Sequence, residues 1–425
     1  MQQPEIQTIE LNESLNIVER YLSNGIKLEC VPLEDTHIVK LNMVFPCGRW
    51  EQDSPMQAYF MINQMKEGSE NTPPDMMDQK MEYYAGIVKT DSNVFGVNIS
   101  LTCLDRNLPY LLPLLRELVT SPLFGKERLE LMRTQELQMY DYEIQRVTYA
   151  SYKLFSKNLL SEECPFARFA QREDIMSMSK EIMKPFHDKY INSSNCKMWL
   201  SCANSDAVVK VVDDVFGSTW GNSSFVHSQY TPFSGYPEIS KEIRVTEHVG
   251  NGMQSSVEVG CFAPGLSSPD YVAFELLTYI LGGYFGSRLM MNLREEKGFT
   301  YGVYSILRNI PYKTYLNIST QTDNKYVEKV VDEIKRELTR LCSERVGDDE
   351  LSLAKKCLVG SRCRTFDDRM KLSGFLASLD NKGISLDDYY LSTRKMLELT
   401  SDDLLTVAQR SLNPEKLVIC VAGNI

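Results

Sequence analysis

Histidine is scarce in this sequence, with 4 copies among 425 residues. They are His37, His187, His227 and His248, and no two of them lie within four positions of each other. A zinc site built on a helix takes two histidines from one face, three or four positions apart. We therefore expect surface or loop histidines, and no zinc site made by this chain alone.

Long apolar runs, excess positive charge and paired cysteine motifs are also missing. No run of about 18 apolar residues occurs, so we expect no membrane-spanning helix. Lys+Arg 46 against Asp+Glu 57 give a net charge of -11, which argues against binding to a nucleic-acid backbone. The 11 cysteines include no C-x-x-C pair, which favours reduced core thiols. Residues 1–19 do not resemble a secretory signal or presequence, so we expect a cytoplasmic location.

What the chain does contain is an internal repeat. Several segments recur in the same order about 220 positions later, as expected for a duplicated domain. The matching segments are 97–100 with 316–319, 125–129 with 347–351, and 197–203 with 417–423. One such match would be coincidence, but an ordered series indicates a duplication.

The order of strand-like and helix-like segments within each copy predicts an α+β fold. Consecutive strands with short connections followed by long helices favour an antiparallel-rich sheet with helices packed on it. We expect an N-terminal domain over 1–220, a linker over 221–239 and a C-terminal domain over 240–425. Helix starts are predicted at Ser54 with Pro55 and at Ser268 with Pro269, because serine caps helices and proline fits their first turn.

One segment of the C-terminal copy carries candidate functional residues. It reads Leu-Arg-Glu-Glu-Lys-Gly-Phe-Thr-Tyr over 293–301, with Gly298 predicted to end a helix. Arg294 and Tyr301 flank that turn, one at the helix end and one entering a strand. An arginine offers fixed donors to a carbonyl or carboxylate, and a tyrosine hydroxyl can stabilise an oxyanion.

This motif resembles the C-terminal signature of the pitrilysin/insulinase zinc peptidases (inverzincins), in the branch that includes mitochondrial processing peptidase. The resemblance covers essentially the whole chain, including residues 22–27, 48–51, Gly86 and Thr90. It implies two duplicated domains that face each other around a chamber. It also implies that Arg294 and Tyr301 line the site and hold the backbone of a bound peptide.

The zinc motif of that family is degenerate in this sequence. Active members carry H-x-x-E-H on the first long helix, and alignment on Gly68 places that motif over residues 59–63. The histidine positions then hold Tyr59 and Asn63, and the general-base position holds Ile62. The third ligand, a glutamate, matches Glu136 in one alignment, whereas another alignment places Thr134 there. Neither alignment leaves enough ligands for zinc.

The resemblance therefore implies a non-catalytic, peptide-binding subunit of a heterodimeric zinc metallopeptidase. Arg294 and Tyr301 would serve an active site whose zinc is held by a homologous partner that carries H-x-x-E-H. The substrate would be a peptide or an unfolded polypeptide. Two alternatives remain: a structural or peptide-binding scaffold of the same fold, and an active zinc metalloendopeptidase. Family membership alone would favour the last, but no H-x-x-E-H or H-E-x-x-H occurs in the sequence.

Overall fold

The fold consists of two β-sheets, one from each half of the chain, with helices packed against them. The computed structural model describes residues 15–34, 36–218, 220–221 and 230–424. The predicted α+β class is confirmed. No helix in these ranges is long and apolar enough to cross a membrane.

The first half supplies six strands and eight helices to the described structure. The strands are β1 (Val18–Tyr21), β2 (Lys27–Pro32), β3 (Ile38–Phe45), β4 (Ile87–Ser92), β5 (Val97–Leu104) and β6 (Lys197–Cys202). The helices are α1 (Gln57–Met65), α2 (Pro74–Tyr83), α3 (Leu108–Thr120), α4 (Lys126–Glu143), α5 (Val147–Leu160), α6 (Arg172–Ser177), α7 (Lys180–Tyr190) and α8 (Ser205–Val212).

The second half repeats this order with five strands and six helices in the described ranges. The strands are β7 (Ile243–His248), β8 (Gln254–Ala263), β9 (Thr300–Ile310), β10 (Lys313–Asp323) and β11 (Val418–Gly423). The helices are α9 (Tyr271–Gly282), α10 (Val327–Ser343), α11 (Asp348–Asp367), α12 (Arg369–Asn381), α13 (Leu386–Glu398) and α14 (Ser401–Ser411). A π-helical turn, Met290–Glu296, precedes β9.

The two sheets share one topology. Their strand orders are β1-β2-β6-β3-β5-β4 and β7-β11-β8-β10-β9. In each sheet the last strand of its half, β6 or β11, runs parallel to one neighbour and antiparallel to the other. The repeated segments of the sequence occupy equivalent strands, since 97–100 lie in β5 and 316–319 lie in β10.

Each half also supplies a helix to the sheet of the other half. Helix α5 packs on β8 and β11 of the second sheet, and α12 packs on β6, β3 and β2 of the first. The apolar contacts follow this exchange: Phe155 of α5 is fully buried with Tyr315, and Leu372 of α12 is fully buried with Trp199. Neither sheet would have both faces covered by its own half alone.

Buried serines mark the centre of both exchanged contacts. Ser151 of α5 donates from its Oγ to Ser256 Oγ of β8 at 2.9 Å. Asn42 of β3 donates from its Nδ2 to Ser373 Oγ of α12 at 2.8 Å. Small side chains allow each helix to approach the sheet closely, and the hydrogen bonds satisfy polar groups that are cut off from water.

Both predicted helix starts are wrong by a few residues. Helix α1 begins at Gln57 after Met56, whose φ of 69° places it in the left-handed region, and the hydroxyl of Ser54 is buried without a partner in the described structure. Helix α9 begins at Tyr271 after Asp270, while Ser268 Oγ accepts from the Asp270 N–H at 3.3 Å. Serine and proline here form the turn that precedes the helix.

Part of the predicted linker 221–239 lies outside the described residues. The portion from Tyr230 onward forms neither helix nor strand and contacts both halves. Trp50 Nε1 donates to the Thr231 carbonyl at 2.8 Å, and Tyr230 Oη donates to the Asn381 carbonyl at 2.9 Å. This segment therefore packs between Trp50 of the first half and α12 of the second.

A buried carboxyl group, Glu258 of β8, lies on the sheet face that α5 partly covers. Its side chain accepts hydrogen bonds from Asn317 Nδ2 and Ser319 Oγ, each at 2.7 Å. Burial raises the pKa of Glu258 to about 7, because loss of water disfavours the carboxylate more than these two donors stabilise it.

We expect the exchanged helix α5 to be essential for stability. Phe155→Ala removes a ring that is 0% exposed, and should lower the free energy of unfolding by about 3–5 kcal/mol. Leu391→Ala on α13, where the side chain is 61% exposed, is the control and should change it by less than about 0.5 kcal/mol. Urea unfolding monitored by circular dichroism measures both. Equal free energies of unfolding for the two variants would contradict the stabilising role of α5.

Glu258 should make stability fall as pH rises. Its pKa of about 7 in the folded state lies above the ordinary value of 4.5, so the folded protein binds the proton more tightly. The associated stability is present below pH 4.5 and is lost as pH rises through 7, by roughly 2–4 kcal/mol in total. Urea midpoints between pH 4 and 8 should show a flatter profile for Glu258→Gln than for the wild type. Glu173→Gln, at an exposed position on α6, should keep the wild-type profile.

Candidate functional site

The residues at the degenerate zinc-motif positions lie on one face of α1 and contact α4. Tyr59 of α1 donates from its Oη to Glu136 Oε1 of α4 at 2.8 Å. The structure thus brings together two side chains that are 77 positions apart in sequence. Thr134, the alternative third position, instead donates from its hydroxyl to the Glu130 carbonyl within α4.

Asn63 lies one helical turn after Tyr59 and extends the same hydrogen-bonded cluster. Its Nδ2 donates to the Tyr59 carbonyl at 2.9 Å, and its Oδ1 accepts from Thr90 Oγ1 of β4 at 2.8 Å. Ile62 is fully buried in the core of the first half. Tyr59, Asn63, Thr90 and Glu136 therefore form a closed network, which we call the Tyr59 cluster.

The chemistry of the Tyr59 cluster does not suit zinc. Burial and the hydrogen bond to Glu136 raise the pKa of Tyr59 to about 12, so its hydroxyl stays protonated and donates to the carboxylate. Zinc requires three or more ligands from thiolate, imidazole or carboxylate groups, and this cluster offers one carboxylate. Ile62 cannot accept a proton from water. The side chains instead satisfy one another.

The histidines do not replace these missing ligands in the described structure. His187 is buried in α7, where its Nε2 donates to the Val119 carbonyl at 2.9 Å, so the expectation of a surface or loop histidine is wrong there. His37 is exposed and pairs with Asp105 at 2.9 Å, and His248 is exposed at the end of β7. His227 lies outside the described residues. Across the described residues, no three His, Cys, Asp or Glu side chains are grouped as a metal site would need.

Arg294 lies in the π-helical turn before β9 and remains accessible. Its guanidinium stacks over the ring of Phe285, 4.9 Å from the centroid, and its Nε lies 3.5 Å from Glu295 Oε1. The side chain is 38% exposed. Gly298 ends this turn with φ 61°, a conformation that favours glycine and that reverses the chain into β9.

Tyr301 lies at the start of β9, an edge strand of the second sheet, and its side chain is 91% exposed. The pairing of β9 with β10 shifts between Thr320 and Thr322, so Tyr301 and Gly302 together oppose the single residue Gln321. Such a β-bulge redirects side chains, and here both Thr300 and Val303 are buried while Tyr301 is exposed. Within the described structure the Tyr301 hydroxyl has no hydrogen-bond partner.

The two sets of candidate residues differ in hydrogen bonding and in exposure to solvent. The Tyr59 cluster is internally bonded, whereas Arg294 and Tyr301 are exposed, and no hydrogen bond joins Arg294 to Tyr301 in the described part of the chain. Sequence reasoning missed two contributors. Nothing in the sequence pointed to Phe285 as the support of Arg294. The bulge at Tyr301 and Gly302 could have been suspected from the glycine within the strand.

Comparisons with known proteins agree with this architecture. Residues 177–358 match the sequence profile of a family described as "Peptidase M16 inactive domain". No curated protein matches the chain.

Two solved structures share the fold over almost their whole length. One is a peptidase M16 inactive domain from Pseudomonas fluorescens, with a TM-score of 0.85, 22% identity, and coverage of 97% of this chain and 98% of that one. The other is a protease from Helicobacter pylori, with a TM-score of 0.84, 17% identity, and coverage of 96% and 99%. The matched profile and the shared two-sheet fold make this chain similar to peptidase M16 proteins, by sequence over residues 177–358 and by fold over almost its whole length.

Proposed function

We propose that this chain is a non-catalytic, peptide-binding subunit of a heterodimeric zinc metallopeptidase. The partner would be a homologous subunit that carries H-x-x-E-H and holds the zinc. This chain would supply Arg294 and Tyr301 to the partner's active site, where a peptide or an unfolded polypeptide binds. The observation that carries the proposal is the hydrogen bond between Tyr59 and Glu136, two residues that the alignment assigns to zinc-ligand positions of the family and that here bind each other.

The exposed residues support the peptide-binding part of the proposal. The Arg294 guanidinium has five N–H donors, and its contacts with Phe285 and Glu295 leave most of them free for a peptide carbonyl. The Tyr301 hydroxyl is free to donate to an oxygen that gains negative charge during amide cleavage. Because β9 is an edge strand, its outer side also offers backbone N–H and C=O groups to an extended peptide.

The chain's own residues would orient the peptide and stabilise charge, while the partner would provide the metal and the base. Arg294 would fix the backbone of the bound peptide beside the scissile bond. Tyr301 would donate a hydrogen bond to the carbonyl oxygen of that bond. Zinc would activate water in the partner, and no residue of the Tyr59 cluster would take part in that step.

The first test rebuilds the motif in this chain. In the double variant Tyr59→His/Asn63→His, both imidazoles lie on one helical face beside Glu136, so we expect about one zinc per chain, which the wild type should lack. Elemental mass spectrometry after dialysis measures the stoichiometry. If the folded double variant binds no zinc, the assignment of these positions is wrong.

Two further substitutions in that double variant decide between the alignments. Glu136→Gln should weaken zinc binding at least tenfold, because it removes the carboxylate ligand. Thr134→Ala should leave zinc binding unchanged, because its hydroxyl is bonded to the Glu130 carbonyl. The reverse pattern would favour the alternative alignment and remove Glu136 from the site.

The second test reconstitutes the enzyme. The purified chain should cleave no peptide alone, and mixing it with an H-x-x-E-H homologue should produce cleavage of a fluorogenic peptide. Tyr301→Phe should then lower kcat about 10- to 100-fold, since one donor to the oxyanion is lost. The control Tyr83→Phe removes a hydroxyl from a side chain on α2 that is 82% exposed and should not alter kcat.

The outcomes separate this function from its alternative. A complex that contains the Tyr301→Phe variant, assembles normally and cleaves at the wild-type rate would contradict the role of Tyr301. A complex that assembles but never cleaves would favour a scaffold without proteolysis. Activity of the isolated wild-type chain would contradict the non-catalytic assignment.

A further inference from the structure

The second half contains a cavity of about 980 Å³ between β9, α9 and the helices α11 to α13. This volume lies at the upper end of the range of small-molecule sites, roughly 300–1,000 Å³. Aromatic side chains form much of its wall, including Tyr271, Tyr304, Phe375 and Tyr389. It contains no residue of the Tyr59 cluster, and neither Arg294 nor Tyr301 lines it.

Lys382 brings a positive charge to this cavity. It lies in the turn between α12 and α13, and its ammonium has no hydrogen bond or salt bridge with any described residue. Burial lowers the pKa of Lys382, since its ammonium has lost water and only the more distant charge of Glu275 offsets that loss. An anion placed beside Lys382 would relieve this cost.

The other charged side chains that line the cavity have contacts of their own. Arg362 Nη2 donates to Glu275 Oε2 at 2.8 Å, and the Arg362 guanidinium lies 4.9 Å from the centre of the Tyr389 ring. Asp388 accepts from Ser385 Oγ at 2.6 Å at the start of α13. Lys313 also lines the cavity, but its ammonium lies over the rings of Tyr236 and Phe262, which belong to a neighbouring pocket.

Several neutral groups of the wall are donors whose protons are unused in the described structure. Ser305 is 3% exposed, and its Oγ has no partner. Tyr271 Oη accepts from Asn309 Nδ2 at 3.0 Å, which leaves its own proton free. Burial raises the pKa values of Tyr271 and Tyr389 to about 12, so both hydroxyls remain protonated donors.

The chemistry of the wall selects the ligand, because the cavity is aromatic, offers several hydrogen-bond donors, and contains in Lys382 a cation without a contact of its own among the described residues. The ligand must present acceptor oxygens and a single negative charge, together with an apolar or flat body. We propose that this cavity binds a small carboxylate with an aromatic or apolar body, its carboxylate paired with Lys382. The site does not depend on the proposed peptidase role, because it shares no residue with that site.

Binding of N-acetyl-phenylalanine to the full chain, measured by isothermal titration calorimetry, tests the proposal. The matched probe N-acetyl-phenylalanine amide has the same body without the charge, and should bind at least tenfold more weakly. Lys382→Gln should weaken binding of the acid at least tenfold and leave binding of the amide unchanged. Lys382→Arg, which keeps the charge, should stay within about threefold of the wild type.

Two other variants serve as controls for the same measurement. Ser305→Ala should weaken binding of the acid by a few-fold, since a buried donor is lost. Lys210→Gln, at an exposed position of α8, should have no effect. A thermal midpoint within 2 °C of the wild type would confirm that each variant is folded.

Two sources of such a carboxylate are distinguished by a third probe. A short peptide that ends in phenylalanine with a free carboxylate would bind more tightly than the small acid if the natural ligand is a peptide C-terminus. It would bind more weakly if the ligand is a free small carboxylate; either result supports the site. Equal binding of acid and amide, no binding of the acid at 10 mM, or unchanged binding in Lys382→Gln would overturn the proposal.

Discussion

The structure depends on a reciprocal exchange, in which each half supplies one helix to the sheet of the other half. Each sheet buries one face against helices of its own half, and α5 or α12 from the other half covers much of the second face. Buried area of this kind is the dominant favourable term in folding, so each sheet is stabilised by a helix from the other half. Ser151 and Ser373 are 222 positions apart, the same offset as the repeated segments 125–129 and 347–351, so the two exchanged helices occupy matching places in the repeat.

Within this shared fold, the two candidate sites differ in how their polar side chains are satisfied. In the first half, Tyr59 and Glu136 join α1 to α4 through a hydrogen bond, so the polar groups on that face are satisfied without a ligand. In the second half, the turn that ends at Gly298 and the bulge at Gly302 hold Arg294 and Tyr301 in the open. The same fold thus has one polar surface that is internally hydrogen-bonded and one that is exposed.

Much of this fold could be predicted from the sequence, because it is encoded locally. The order of strand-like and helix-like segments predicted the fold class, and the recurrence of segment 97–100 at 316–319 located equivalent strands in both halves. Helix starts were less predictable, since Ser54 and Ser268 form turns whose extent depends on tertiary packing. The sequence left Glu136 and Thr134 as alternative partners of Tyr59, because no local pattern determines which residue of α4 faces α1. The exchanged helices and the cavity around Lys382 involve residues that are distant in sequence, and no periodic pattern encodes them.

The exchange also sets an order of events during synthesis. Asn42 and Ser373 are 331 positions apart, so α12 leaves the ribosome long after the first sheet could form. The first sheet is complete only after β6, which ends at Cys202, and Ser373 follows 171 positions later. At about 5–20 residues per second, that sheet waits roughly 9–34 s with one face uncovered. Val44 and Trp199 lie on that face and are shielded only once α12 docks. The nascent first half is therefore the stage at which this protein is most exposed to aggregation and in greatest need of a chaperone.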